Sequence, residues 1–133
     1  MAGLTVERVV AAPPERVWRS FADPVELSAW FWPPRLRPQA RIDATPGGTL
    51  RIRSDVADLG ISGTVTAAEE GRLLSTTWRW DGEAGETAVT IELAPEADGT
   101  RVRVRHDGFA TEDAVAEHVT GWNDCLDRLV ATA

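Results

Sequence analysis

The sequence predicts an α+β domain: an antiparallel sheet of about seven strands, one face of it covered by a long C-terminal helix, with two short helices after the first strand. Three observations carry this. Val115, His118, Val119, Trp122, Leu126 and Leu129 fall on one face of a helix starting near Thr111, roughly 30 Å long at 1.5 Å per residue. Six segments from Ala40 to His106 alternate apolar and polar side chains with a period of two. Short turn sequences rich in Gly, Pro, Asp and Glu join them, which implies antiparallel pairing.

Taken in order, Thr5 to Ala11 reads as a strand, ended by Pro13 and Pro14. Pro14 suits the first turn of a helix whose apolar face is Val17, Trp18 and Phe21. Asp23-Pro24 starts a second short helix, an N-cap followed by Pro, with Leu27, Trp30 and Phe31 on its buried side. Trp32-Pro33-Pro34 ends it, and loop follows to Pro38. Ala40, Ile42 and Ala44 then share one strand face, and Thr45-Pro46-Gly47-Gly48 turns the chain. Leu50 and Ile52 mark the next strand, Asp55 to Gly60 a loop, and Ile61, Gly63, Val65 and Ala67 the inward face of another. After Glu69-Glu70-Gly71, Leu74, Thr76, Trp78 and Trp80 share a face. Asp81 to Glu86 is a hairpin loop, leading to Thr87, Val89, Ile91 and Leu93. Beyond the turn Glu96-Ala97-Asp98-Gly99, Val102, Val104 and His106 point inward, and Asp107-Gly108 is expected to break the strand. Thr111 caps the long helix.

The 133 residues suit one domain, residues 1–133, without internal repeats. A net charge of −7 opposes nonspecific binding to nucleic acid or anionic membrane. No run approaches the ~18 apolar residues of a membrane span. The first residues lack the basic and apolar pattern of a signal peptide, and the single Cys125 allows no intrachain disulfide; both suit a reducing cytoplasm. All 14 basic residues are arginine, which excludes a lysine Schiff base and a P-loop lysine. The Arg, Ala and Gly bias fits a GC-rich bacterial genome. Tyrosine is absent, so no phenol serves as a general acid.

Six tryptophans in so short a chain make an aromatic-lined pocket the first place to look for function. The candidate lining is Trp18, Trp30, Trp78, Trp80, Phe109, His118 and Trp122, with His106 as a polar contact. Trp122, four residues after His118, is placed to stack on it. Cys125 lies two helical turns from His118, too far for a Cys–His nucleophile. No HxxxH or CxxC spacing suggests a metal, and no cofactor is called for. Gly121 interrupts the long helix, which implies close approach to the sheet or room for a ligand beside Trp122. Arg41, Arg51, Arg53, Arg79, Arg101, Arg103 and Arg105 share the outward face, with Asp43 and Glu92 as potential partners.

Several segments, in order, resemble the family of homologues of the activator of the 90-kDa heat-shock protein ATPase. They are APPERVWRSFADPVELSAWF near the N-terminus, PGGTL at 46–50, the Gly99–Val104 strand, and GWNDCLDRL from Gly121 to Leu129. That family belongs to the START-like, or SRPBCC, superfamily. The resemblance implies a helix-grip (START-like) fold, a curved sheet wrapped on the C-terminal helix around a deep cavity. Superfamily members bind lipids, hormones, polyketides and other apolar molecules there, and some are cyclases or aromatases. No catalytic residues carry over. The eukaryotic activators carry an additional chaperone-binding domain, for which 133 residues are expected to leave no room.

Three readings follow. The first is a cytoplasmic protein, monomer or homodimer, that binds a small apolar or aromatic ligand. The second is a cyclase- or hydrolase-type enzyme on an apolar substrate, with His106, His118, Asp55 or Asp58 as acid–base groups. The third is a stress adaptor that meets a chaperone or other protein through the arginine face.

Overall fold

A computed structural model describes residues 2–133. The elements are β1 (Ala2–Val10), α1 (Pro14–Ala22), α2 (Pro24–Trp30), a 3-10 turn (Pro34–Leu36), β2 (Gln39–Ile42), β3 (Thr49–Ser54), β4 (Leu59–Glu69), β5 (Leu73–Trp80), β6 (Thr87–Glu96), β7 (Gly99–Phe109) and α3 (Glu112–Thr132). The seven strands form one antiparallel sheet in the order β1-β7-β6-β5-β4-β3-β2. The predicted order of elements and fold class hold. Asp23 caps α2, its carboxylate accepting from the N–H groups of Val25 and Glu26, and the Thr111 hydroxyl accepts from Ala114 N–H to cap α3.

Four local expectations are corrected. Asp107-Gly108 does not end the last strand. Gly108 is an extra residue in β7, at φ +100°, and the register shifts there between Asp107 and Phe109. The bulge reverses the alternation, so His106 and Phe109 are both buried. Pairing with the longer β7 also starts β1 at Ala2 rather than Thr5. A second bulge at Thr66 turns β4 over, so Ala68, opposite Leu74, packs on the core in place of Ala67. Leu59 and Gly60 belong to β4, paired with Ser54 and Arg53, so the preceding loop is shorter than expected.

The inward face of the sheet is covered in two parts. α1 and α2 pack over β6, β7 and β2, and α3 packs chiefly along β1. Arg8 fastens α3 to β1: its guanidinium donates to Asn123 Oδ1 (2.7 Å) and Asp127 Oδ1 (3.2 Å). Trp122, Cys125, Leu126 and Leu129 are buried under α3, whereas Val115, His118 and Val119 nearer its start are half-buried. The first turns of α3 therefore overhang the sheet without sealing against it.

Most of the outward arginines are held by acids. Arg51 makes two bonds to Asp81 (2.6 and 2.8 Å), and Arg53 reaches Asp55, Asp58 and Asp81. Arg101 pairs with Glu7 and Glu96, Arg103 with Glu7, and Arg105 with Glu92. The Glu7 and Asp81 carboxyls are held below the usual range, first by their hydrogen bonds to Arg101 and Arg51 respectively. Glu92 takes its expected place, but Asp43 accepts from the Thr45 hydroxyl instead.

Candidate ligand-binding cleft

The Trp32-Pro33-Pro34 sequence stops α2 and sends the chain across the end of the sheet. Two groups on α3 secure this crossing. The Arg128 guanidinium donates to the carbonyls of Trp30 (3.0 Å) and Phe31 (2.8 Å), the last carbonyls of α2. The Cys125 thiol donates to the same Phe31 oxygen (2.9 Å). Burial pushes that thiol up to about 12, so it stays protonated near neutral pH.

Between this crossing, α3 and the end of β5 lies a cleft of about 510 Å³. Phe31, Trp32, Trp78, Trp80, His118 and Trp122 form its aromatic walls. Phe31 is the hub, with ring centroids 5.5–5.9 Å from Trp32, Trp78 and Trp122. The Trp32 and Trp80 rings lie 22° from parallel, 6.3 Å apart. Gly121 opens onto the same space, and a Cβ built there meets nothing within 4 Å. Close approach of helix to sheet is thus not its role, and the space beside Trp122 stands open. Arg35, Glu83, Glu117 and Asp124 stand exposed at the rim.

The two histidines, distant in sequence, meet with ring centroids 5.2 Å apart, and Phe109 lies 4.4 Å from one and 4.6 Å from the other. Their tautomers follow from their partners. His118 Nδ1–H donates to the Ala114 carbonyl (2.7 Å), and Nε2 accepts from the Trp80 indole (3.0 Å). His106 Nδ1 accepts from the Trp122 indole (3.1 Å), and its Nε2–H donates to Thr87 Oγ1 (2.6 Å). Trp122 therefore reaches across to His106 rather than stacking on His118. Burial first, and secondly the neighbouring His118 ring, lowers the His106 pKa to about 3.

Of the eight residues singled out from sequence, Trp78, Trp80, His118 and Trp122 line the cleft. The others stand elsewhere. Trp18 is buried on α1, and the Trp30 indole donates to Ser20 O inside the core. His106 is fully buried behind Trp122, and Phe109 borders a separate shallow depression near Thr111. Asp55 and Asp58 pair with Arg53 on the far face. With every ring nitrogen of both histidines engaged, neither imidazole stands as a free base. Among the described residues no three His, Cys, Asp or Glu side chains converge to hold a metal ion, and no helix is long and apolar enough to cross a membrane.

The crossing segment and Arg128 were missed by sequence reasoning. A signal existed: Gly121, Cys125 and Arg128 fall at i, i+4 and i+7, so Arg128 belongs to the face that looks into the cleft.

Residues 11–133 match the family model described as Activator of Hsp90 ATPase homolog 1-like protein. Among solved structures, the chain is similar to protein CV1439 of Chromobacterium violaceum, with 27% identity, TM-score 0.82, and 97% of this chain and 94% of that one covered. It is similar to the AHSA1 protein of Silicibacter pomeroyi, with 24% identity, TM-score 0.79, and coverage of 98% and 96%. DynU16, a protein in the dynemicin biosynthetic locus, shares the fold at 24% identity and TM-score 0.85; the match covers 97% of this chain and 46% of that one. No curated protein matches.

Proposed function

Because this chain belongs to the family of Activator of Hsp90 ATPase homolog 1-like proteins, we propose that it is a binding protein for a small apolar or aromatic molecule held in the cleft between α3 and the end of β5. The observation that supports this most is the cleft itself. At about 510 Å³ it falls in the usual size range for small-molecule sites, its walls are largely rings, and a glycine keeps it open. Trp78, Trp80, His118 and Trp122 are the assigned contacts, joined by Phe31 and Trp32. Trp30, His106 and Phe109 back that wall through Phe31, Trp122 and His118, and Trp18 stays in the core on α1. Residues 1–133 act as one domain, in the cytoplasm. The arginine face does not favour docking of an acidic chaperone, because Arg51, Arg53, Arg101 and Arg103 already hold carboxylates.

The test is a screen of flat apolar compounds read by tryptophan emission and melting temperature. A ligand at a hundred times its Kd should add about 2.7 kcal/mol of stability. It should also shift the emission of the four wall tryptophans. A screen in which no compound moves either signal sinks the reading.

A further inference from the structure

Among the described residues, two polar side-chain atoms in the interior have no hydrogen-bond partner, the indole Nε1–H of Trp78 and the hydroxyl of Thr76. The two residues are 5% and 4% exposed. They sit two apart on the inward face of central strand β5, with Thr76 between Val65 of β4 and Val89 of β6. Neighbouring indoles are satisfied: Trp30 by Ser20 O, Trp80 by His118 and Trp122 by His106. An orphaned buried donor is costly, and native chains rarely keep one without a use.

Both residues line an inner cavity of about 20 Å³ whose other walls are apolar. Phe31, Trp78 and Trp122 border this cavity and the outer cleft alike, so the two adjoin at those rings. The inner volume accepts a single oxygen atom or one water, but not a ring. Its apolar lining holds no cation, so a carboxylate would be penalised there.

Building on the binding function proposed above, we infer that Trp78 Nε1–H and Thr76 Oγ1–H form a seat for one neutral oxygen acceptor. The ligand is then an apolar ring system with a carbonyl or ether oxygen at its leading end. The rings remain in the outer cleft against Trp80 and Trp122, and the oxygen's two lone pairs accept from the two β5 donors.

The probes are 1-tetralone and tetralin, matched in ring shape and differing by one carbonyl, titrated into the full-length ¹⁵N-labelled protein. Tetralone should bind about tenfold more tightly, the value of one hydrogen bond to a buried donor. The Trp78 indole proton should move downfield with tetralone alone. Thr76→Val, which keeps the shape, should reduce the preference, and Trp78→Phe should abolish it. Equal affinity of the two probes for the wild-type protein overturns the oxygen seat and leaves apolar binding standing. So does a long-lived water at the Trp78 indole that stays when tetralone binds. Failure of both probes to bind removes the binding site and the seat together.

Discussion

His106 satisfies two neighbours at once, the Trp122 indole and the Thr87 hydroxyl, while completely shielded from water. His106→Phe retains a ring of similar size but orphans the Trp122 indole and leaves Thr87 with only its bond to the Trp78 carbonyl, so it should cost about 1–3 kcal/mol at pH 7.5. The penalty should shrink in acid. Burial lowers the folded pKa to about 3, against 6.5 when unfolded. The unfolded chain therefore takes up a proton below pH 6.5 that the folded chain refuses until about pH 3. Wild-type stability is complete above 6.5 and falls by up to about 1.4 kcal/mol per pH unit below it, and the variant escapes that loss. Urea unfolding of both proteins from pH 7.5 to 4.5, where carboxylate titration is common to the two and cancels in the difference, should show the gap closing; a constant gap refutes a neutral buried imidazole. Cys125 makes a parallel case. With its thiol pushed up to about 12 and bonded to Phe31 O, it should react with a disulfide reagent at pH 8 only as fast as the protein opens, and the rate should climb with added urea.

Among the elements, α2 depends most on another for its end. Arg128 supplies the donors its last carbonyls lack, and Asp23 accepts from two N–H groups at its start. Arg128→Met keeps the apolar stem and removes the fork. It should destabilise by about 1–2 kcal/mol and raise hydrogen exchange selectively over residues 30–36, the wall of the cleft; uniform protection across those residues would show the crossing holds without it. Asp23→Ala should cost about 1 kcal/mol in thermal unfolding. Such caps were legible in the sequence because a cap is a local affair, Asp23-Pro24 and Thr111 carrying their own signal. The strands were legible by their period of two, and the faces of Trp78 and Trp80 followed from it. The bulges at Thr66 and Gly108 were not, because a bulge is a property of two paired strands, and neither strand's alternation shows which residue its partner skips. Phe109 therefore arrived beside the histidines by a route that sequence could not supply. The path of Phe31 to Leu36 was hidden for the same reason: Pro33 and Pro34 announce that a helix stops, while the partner that receives the chain lies about 95 residues further on in Arg128.

At the scale of the whole molecule, the site follows from where α3 rests. Arg8 and the buried Leu126 and Leu129 draw its C-terminal half onto the β1 side of the sheet, and the α2 crossing covers the other side. The space directly between helix and sheet is almost filled, about 20 Å³, and the larger void opens sideways where the two covers fail to meet. Resemblance implied a deep central cavity; the wide Trp78, Trp122 and Phe31 rings occupy that depth and move the open volume to the flank. Gly121 stands where this arrangement can be tested, since it faces the cleft and its absent side chain would meet no atom. Replacing a helix-interior glycine by alanine gains about 1 kcal/mol when nothing obstructs the new methyl, so Gly121→Ala should melt higher than wild type. Gly121→Leu retains most of the helix gain and projects four carbons into the cleft. It should melt no lower than wild type and bind any ligand found by the screen at least tenfold more weakly, because the same atoms that add apolar contact in the free protein occupy the volume the ligand needs. Wild-type affinity in a stable Gly121→Leu protein would move the binding site away from α3.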